Sequence, residues 1–164
     1  MATSPGPVRP VIGWREWVTL PDLGVEHVKV KIDTGARSSA LHAFDVEPFR
    51  RRGKDMVRFL VHPYQRETGT TVEAEAAVID ERWVRSSSGK RDLRPVIQTS
   101  VQWNGVSWPI ELTLTRRDTM GFRMLLGREA VRGRYVVDAG RSYYGGRPPK
   151  EIRRKAGKRS RPTS

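Results

Sequence analysis

The run Val28-Lys29-Val30-Lys31-Ile32 alternates apolar and charged residues and ends in Asp33-Thr34-Gly35-Ala36. Alternation with a period of two marks a half-buried β-strand, so Asp33 falls at a strand tip. Thr34 brings a hydroxyl that can fix the loop. Gly35 has no Cβ, so its backbone can pass close to a partner loop or a substrate. Ala36 adds no hydroxyl beside the carboxylate. These four residues support two readings: a carboxylate presented for chemistry, or an ordinary Asx-type turn.

Working outward, strand-like runs recur at about 39–47, 56–62, 71–83, 94–103, 106–115, 122–126 and 134–138, with 25–33 as the first. Asn104-Gly105 between two of them suits a type I′ hairpin. Pro48 to Lys54 and Tyr64 to Thr70 read as loops from their Pro, Gly and charge content. One short helix is predicted from near Gly127 to just before Gly133, where glycine can end it. Many short strands with a single late helix predict a mainly β fold, a small closed β-barrel. Residues 1–10 read as a flexible leader, 11–146 as the domain and 147–164 as a basic tail.

The 164 residues suffice for one domain with a core. With 37% hydrophobic and 30% charged residues the chain is polar, and no apolar run is long enough to cross a bilayer. The first ten residues lack the apolar core of a secretory signal. Cysteine is absent, which excludes disulfides and thiolate metal sites and fits a cytoplasmic protein. Net charge is +13. From Arg147 onward, eight basic residues stand against Glu151 alone, a composition that predicts disorder. Such a tail is either an electrostatic arm for RNA, the ribosome or an acidic partner, or simply a solvated end.

Further motifs frame the Asp33 turn: Ile12-Gly13-Trp14-Arg15-Glu16-Trp17 before it, then Val84-Arg85-Ser86-Ser87-Ser88-Gly89, Ile110-Glu111-Leu112-Thr113-Leu114, and Met124-Leu125-Leu126-Gly127-Arg128-Glu129-Ala130 after it. In this order they resemble the bacterial retropepsin-like family labelled ATP-dependent zinc proteases, which is associated with ATP-grasp ligases of the ribosomal-protein-modifying type. The resemblance covers roughly residues 11 to 144. It implies a retropepsin-type barrel, and an aspartic peptidase that works only when two chains supply two Asp residues. The partners it implies are a second copy, a peptide or protein substrate and an ATP-grasp ligase.

Hydrolysis by carboxylates needs one ionised Asp to activate water and one protonated Asp to polarise the carbonyl. The resemblance makes Asp33 the catalytic residue, supported by Thr34, Gly35 and Ala36. A homodimer with one Asp33 from each chain is therefore the leading expectation. Asp138-Ala139-Gly140 is a faint echo of the first motif, without the Thr. Arg37 is a candidate for the site edge or a partner for Glu111. Ser87, Ser88 and Gly89 are a candidate flap tip or a plain loop. By resemblance, Arg128 braces the dimer and the catalytic loop. Trp103 and Trp108 flank the Asn-Gly turn and are read as core or interface packing.

No zinc or other cofactor is expected. His27, His42 and His62 have no metal-site spacing, and no His-Glu-x-x-His occurs. No phosphate loop is present either. Two competing functions remain: a non-catalytic module gripping an extended peptide, and a ribosome- or RNA-associated protein acting through its tail.

Overall fold

A computed structural model of the chain describes residues 8–64, 69–85, 89–116 and 121–156. In chain order the strands are β1 (Val11–Gly13), β2 (Arg15–Leu20), β3 (Val25–Asp33), β4 (Ser39–His42), β5 (Phe44–Arg51), β6 (Lys54–Val61), β7 (Val72–Arg85), β8 (Arg91–Trp103), β9 (Val106–Thr115) and β10 (Met124–Gly127). The short helix α1 (Arg128–Val131), β11 (Val136–Asp138) and helix α2 (Lys150–Ala156) follow.

The alternation read in β3 is physical: Val28, Val30 and Ile32 are buried while Lys31 is exposed. Strands β2, β3, β10, β4, β9 and β8 are neighbours in that order, and pairing of β2 with β8 closes them into a six-stranded barrel. Strands β7, β6 and β5 continue the sheet outward from β8. The barrel is filled by Leu20, Val28, Leu41, Ile97, Leu112, Leu114 and Leu126, each fully buried. Burying one such side chain stabilises the fold by about 1.5–3 kcal/mol. The mainly β barrel expected from the sequence is therefore the fold observed.

The late helix and the Asn-Gly hairpin also form. Asn104 and Gly105 both adopt positive φ, 49° and 79°, as a type I′ turn requires. β1 and β11 pair in parallel as a separate two-stranded sheet. Among the described residues no helix is long and apolar enough to span a membrane.

Three stretches differ from the sequence reading. Arg15–Leu20 is a strand that the pattern hid, because its inward-facing position 16 is a glutamate, fully buried. Pro48 to Lys54 was expected to be a loop, yet β5 runs through Pro48 to Arg51 and turns at Arg52-Gly53. Proline is tolerated there because β5 is the outermost strand, where an amide can be spared. Part of the expected disordered tail, Lys150–Ala156, is helical, with Lys155 Nζ 5.5 Å from the Tyr64 ring centre. Composition counted its charges but not its helix-forming residue types behind Pro149.

Candidate active site

Asp33 is the last residue of β3 and is half-buried. Its Oδ1 accepts the Gly35 amide at 3.1 Å, and the Ala36 amide donates to its carbonyl at 3.2 Å. The Asx turn is thus real, and it leaves the second carboxylate oxygen without a hydrogen-bond partner among the described residues. Thr34, Gly35 and Arg37 are exposed around it.

The loop is held by the strand that passes between its two flanking strands. β10 lies parallel to β3 and antiparallel to β4, with Gly127 level with Asp33. The crossing is tight: a Cβ on Gly127 would lie 2.5 Å from the carbonyl of Ser38 and 2.9 Å from that of Arg37. Only glycine fits there. The Gly127 amide donates to the buried Ser39 Oγ at 3.0 Å. The first amides of α1 have no intrahelical acceptor and find the loop instead. Arg128 N donates to the Ala36 carbonyl at 2.7 Å, and Glu129 N to that of Arg37 at 3.1 Å. Arg128 Nη1 reaches the Thr34 carbonyl at 3.1 Å. The motifs around Asp33 and Gly127, 94 residues apart in sequence, are one assembly in space.

Beside this loop is a cleft of about 560 Å³ lined by Arg37, Ser38, Arg82, Ile110, Glu111 and Glu129, among others. Glu111 takes its hydrogen bond from Arg82 at 2.7 Å. Arg37 is therefore not the ion-pair partner of Glu111 that the sequence allowed, and it stands on the cleft wall. Arg82 belongs to a β7–β8 hairpin that extends toward residues 86–90. Gly89 at its end has φ 83°, whereas Ser87 and Ser88 lie outside the described residues.

The outer face of β3 carries Lys29, Lys31 and Asp33 in succession, with roughly 7 Å between alternate residues. Arg15 stands opposite Lys31 in register, a like-charge pair. Arg15, Lys29 and Arg147 all lie over the Tyr143 ring, at 5.0, 5.8 and 4.5 Å from its centre. Arg15 also covers Trp14, and Lys29 covers Phe122, whose ring meets Trp14 edge-on. Tyr143 holds φ 62°, a strained backbone for a bulky residue. None of these cations pairs with a carboxylate among the described residues. Sequence reading missed this basic, aromatic face because its members come from both ends of the chain.

The second Asp-x-Gly motif folds as a sibling of the first. The Gly140 amide donates to Asp138 Oδ1 at 2.8 Å, but the Tyr144 hydroxyl donates to Oδ2 at 2.5 Å. These bonds, the tyrosine's first, hold Asp138 below the usual carboxylate range, while Asp138 pushes the Tyr144 hydroxyl up. Glu16, missed by pattern, anchors this segment. Its carboxylate accepts the amides of Gly13, Tyr144 and Gly145 and the Trp103 indole at 2.7–3.1 Å. Trp103 and Trp108 are core residues that both contact Tyr135. His42 is buried, and His62 stacks on Phe44 at 4.2 Å. Among the described residues no three His, Cys, Asp or Glu side chains gather as a metal site.

Comparison with known proteins places these features. Residues 11–148 match the model of the RimB-like family, described as retropepsin-like aspartic endopeptidase RimB. A probable alpha-L-glutamate ligase of Shewanella pealeana is 44% identical over 133 residues, which cover 81% of this chain and 29% of that protein. One from Parasynechococcus marenigrum is 46% identical over 128 residues, 78% of this chain and 28% of that protein. The chain therefore spans under a third of the length of these curated relatives. A crystal structure of a Legionella pneumophila protein of unknown function aligns with TM-score 0.70 at 24% identity, over 84% of this chain and 99% of that one, a likeness of fold. With the family's match running through both halves of the braced Asp33 loop, this chain belongs to the RimB-like family of retropepsin-like proteins.

Proposed function

We propose that two copies of this chain form an aspartic endopeptidase, with Asp33 of each copy facing a shared two-fold axis. The observation that carries this reading is the state of the Asp33 carboxylate. One oxygen is fixed by Gly35, the other is unpartnered among the described residues, and the loop beneath is braced by Gly127, Arg128 and Ser39. Among the described residues a single chain supplies one such strand-tip carboxylate, because the Asp138 sibling is capped by Tyr144. Two Asp33 side chains brought together would share one proton. The ionised one takes a proton from water as it attacks the peptide carbonyl, and the protonated one donates to the carbonyl oxygen. The same pair then returns a proton to the leaving amine. Arg37 borders the cleft, and the β7–β8 hairpin is the cover that excludes water.

The substrate we propose is an acidic, glutamate-bearing peptide. Two things support it: the cations Arg15, Lys29 and Lys31 on the face that leads to Asp33, which have no carboxylate partner among the described residues, and the name alpha-L-glutamate ligase carried by relatives that contain a similar segment. A ligase that appends glutamate is then the natural partner, and any need for ATP would enter through it. A cytoplasmic setting follows from that partner.

The test is to incubate the full chain with an α-linked glutamate oligomer and with a neutral peptide of equal length, and to follow products by mass spectrometry. Cleavage of the acidic peptide, lost in Asp33→Asn with unchanged sedimentation and unaffected by EDTA, is the expected result. Cleavage by the Asp33→Asn protein, or by a monomer, would overturn the assignment.

A further inference from the structure

The Arg15 guanidinium lies over two aromatic rings, 4.6 Å from the centre of Trp14 and 5.0 Å from that of Tyr143. Its Nε is buried without a hydrogen-bond partner, which leaves the two Nη groups as the end that can meet a ligand. Arg15 makes no ion pair among the described residues. Stacking fixes the plane of a guanidinium, so little freedom is left to lose when its N–H fork closes on a carboxylate.

The fold keeps the Tyr143 ring in place against a strained backbone. Tyr143 has φ 62°, in the left-handed region that a bulky residue avoids. Its amide donates to the Arg15 carbonyl at 3.1 Å, and the next two amides, of Tyr144 and Gly145, go to the buried Glu16 carboxylate at 3.0 and 3.1 Å. Pro148 is buried just beyond. Lys29 and Arg147 stand over the same ring. Like charges gathered in this way repel one another. The nearby acids do not relieve them: Glu16 is turned inward onto four N–H groups, and Asp138 is held by Gly140 and Tyr144. Strain that holds an aromatic ring against cations with no carboxylate partner among the described residues points to a ligand.

Arg15 is level with Lys31 on β3, two residues before Asp33. We propose that Arg15 is the residue that selects the substrate: its Nη groups take one glutamate side-chain carboxylate in a two-bond hold, roughly two to four extended residues from the scissile bond, with Tyr143 as the platform. This deepens the acidic-peptide reading of the Asp33 site and rests on it. Lys29, Lys31 and Arg147 supply attraction without direction, whereas Arg15 fixes where the peptide lies and so which bond is cut.

The experiment uses a labelled, neutral ten-residue peptide, blocked at both ends, with a single glutamate moved one position at a time. Cleavage by the full chain is mapped by mass spectrometry, and affinity for the full chain carrying Asp33→Asn is read by fluorescence anisotropy. The cut is expected to move with the glutamate at one constant offset. Replacing that glutamate by glutamine should weaken binding about tenfold or more. Arg15→Lys, which keeps the charge but not the fork, should lose most of that preference, with the loss falling on KM rather than kcat. Tyr143→Gly adopts φ 62° without strain, so it should weaken binding about fivefold or more while melting does not fall. A cut that ignores the position of the glutamate, equal binding of the glutamine peptide, full preference retained in Arg15→Lys, or undiminished binding by Tyr143→Gly would each overturn the proposal. If no peptide is cut, the endopeptidase reading fails by itself. The Asp33→Asn binding data then decide the carboxylate site, supporting it if the glutamate preference depends on Arg15 and overturning it if it does not.

Discussion

Asp33-Thr34-Gly35 and Asp138-Ala139-Gly140 make the same turn by the same means, a carboxylate oxygen accepting the amide two residues on. What separates them is what surrounds the turn. The first is crossed by β10 and braced by the amides of α1. The second ends a three-residue strand of a two-stranded sheet and is closed by a tyrosine hydroxyl. A local motif therefore specifies the turn, and only its setting specifies whether the carboxylate is available for chemistry.

The sharpest way to break the comparison is to remove each charge in turn. Asp33→Asn should lower the cleavage rate by about a thousandfold or more, roughly 4 kcal/mol at 1.4 kcal/mol per decade, while melting changes little. Asp138→Asn should leave the rate within about twofold. Steady-state kinetics on both variants decides it, and equal losses would erase the distinction drawn here.

The next largest contrast lies in the glycines. Gly127→Ala forces a Cβ to 2.5 Å from the Ser38 backbone, whereas one at Gly140 would meet only Asp138 Oδ1 at 3.4 Å. Gly127→Ala should cost about 3 kcal/mol or more, the upper range for an overpacked core site, because the obstacle is backbone. Gly140→Ala should stay within about 0.5 kcal/mol, as surface changes do. Urea midpoints of the two variants measure the difference.

Ser39→Ala sharpens the account of bracing. It strands the Gly127 amide in a buried position, and an unmade buried hydrogen bond costs about 1–3 kcal/mol. Denaturant titration reads this directly, and a neutral result would mean that the crossing is held by β10 pairing alone.

The smallest effect is expected at Tyr144→Phe. Asp138 titrates below its ordinary value, so the contribution of this bond is present above the unfolded carboxylate value near 3.8 and is lost as pH falls through the lowered folded one. Tyr144 is shifted up, so the same bond fades again as pH rises through the raised phenol value above 10. Wild type and variant should differ slightly in melting at neutral pH and converge at both extremes. Carboxyl ¹³C titration should show Asp138 moving back toward the ordinary range.

Reading the chain from its residues succeeded where a local rule governs. Asn104-Gly105, the alternation of β3, and the helix between Gly127 and Gly133 each follow from backbone preference or side-chain period. Reading failed where tertiary burial overrides the pattern. Glu16 hides β2 because a buried carboxylate is tolerated only when four N–H groups converge on it, and three of those come from residues 103 to 145. Pro48 breaks a strand on paper but not on an edge, and edge position is a property of the sheet.

By itself the sequence determined a mainly β chain with a carboxylate at a strand tip, a glycine and an arginine following a short late strand, and the family to which these motifs belong. Those are properties of period, turn chemistry and motif order. The tertiary structure alone decided that Gly127 passes within contact of the Asp33 loop, that Asp138 is capped, and that Arg15, Lys29 and Arg147 share one tyrosine ring. The reason is distance along the chain. Each of these arrangements joins residues from separate strands, and contacts of that range are set by how the barrel closes.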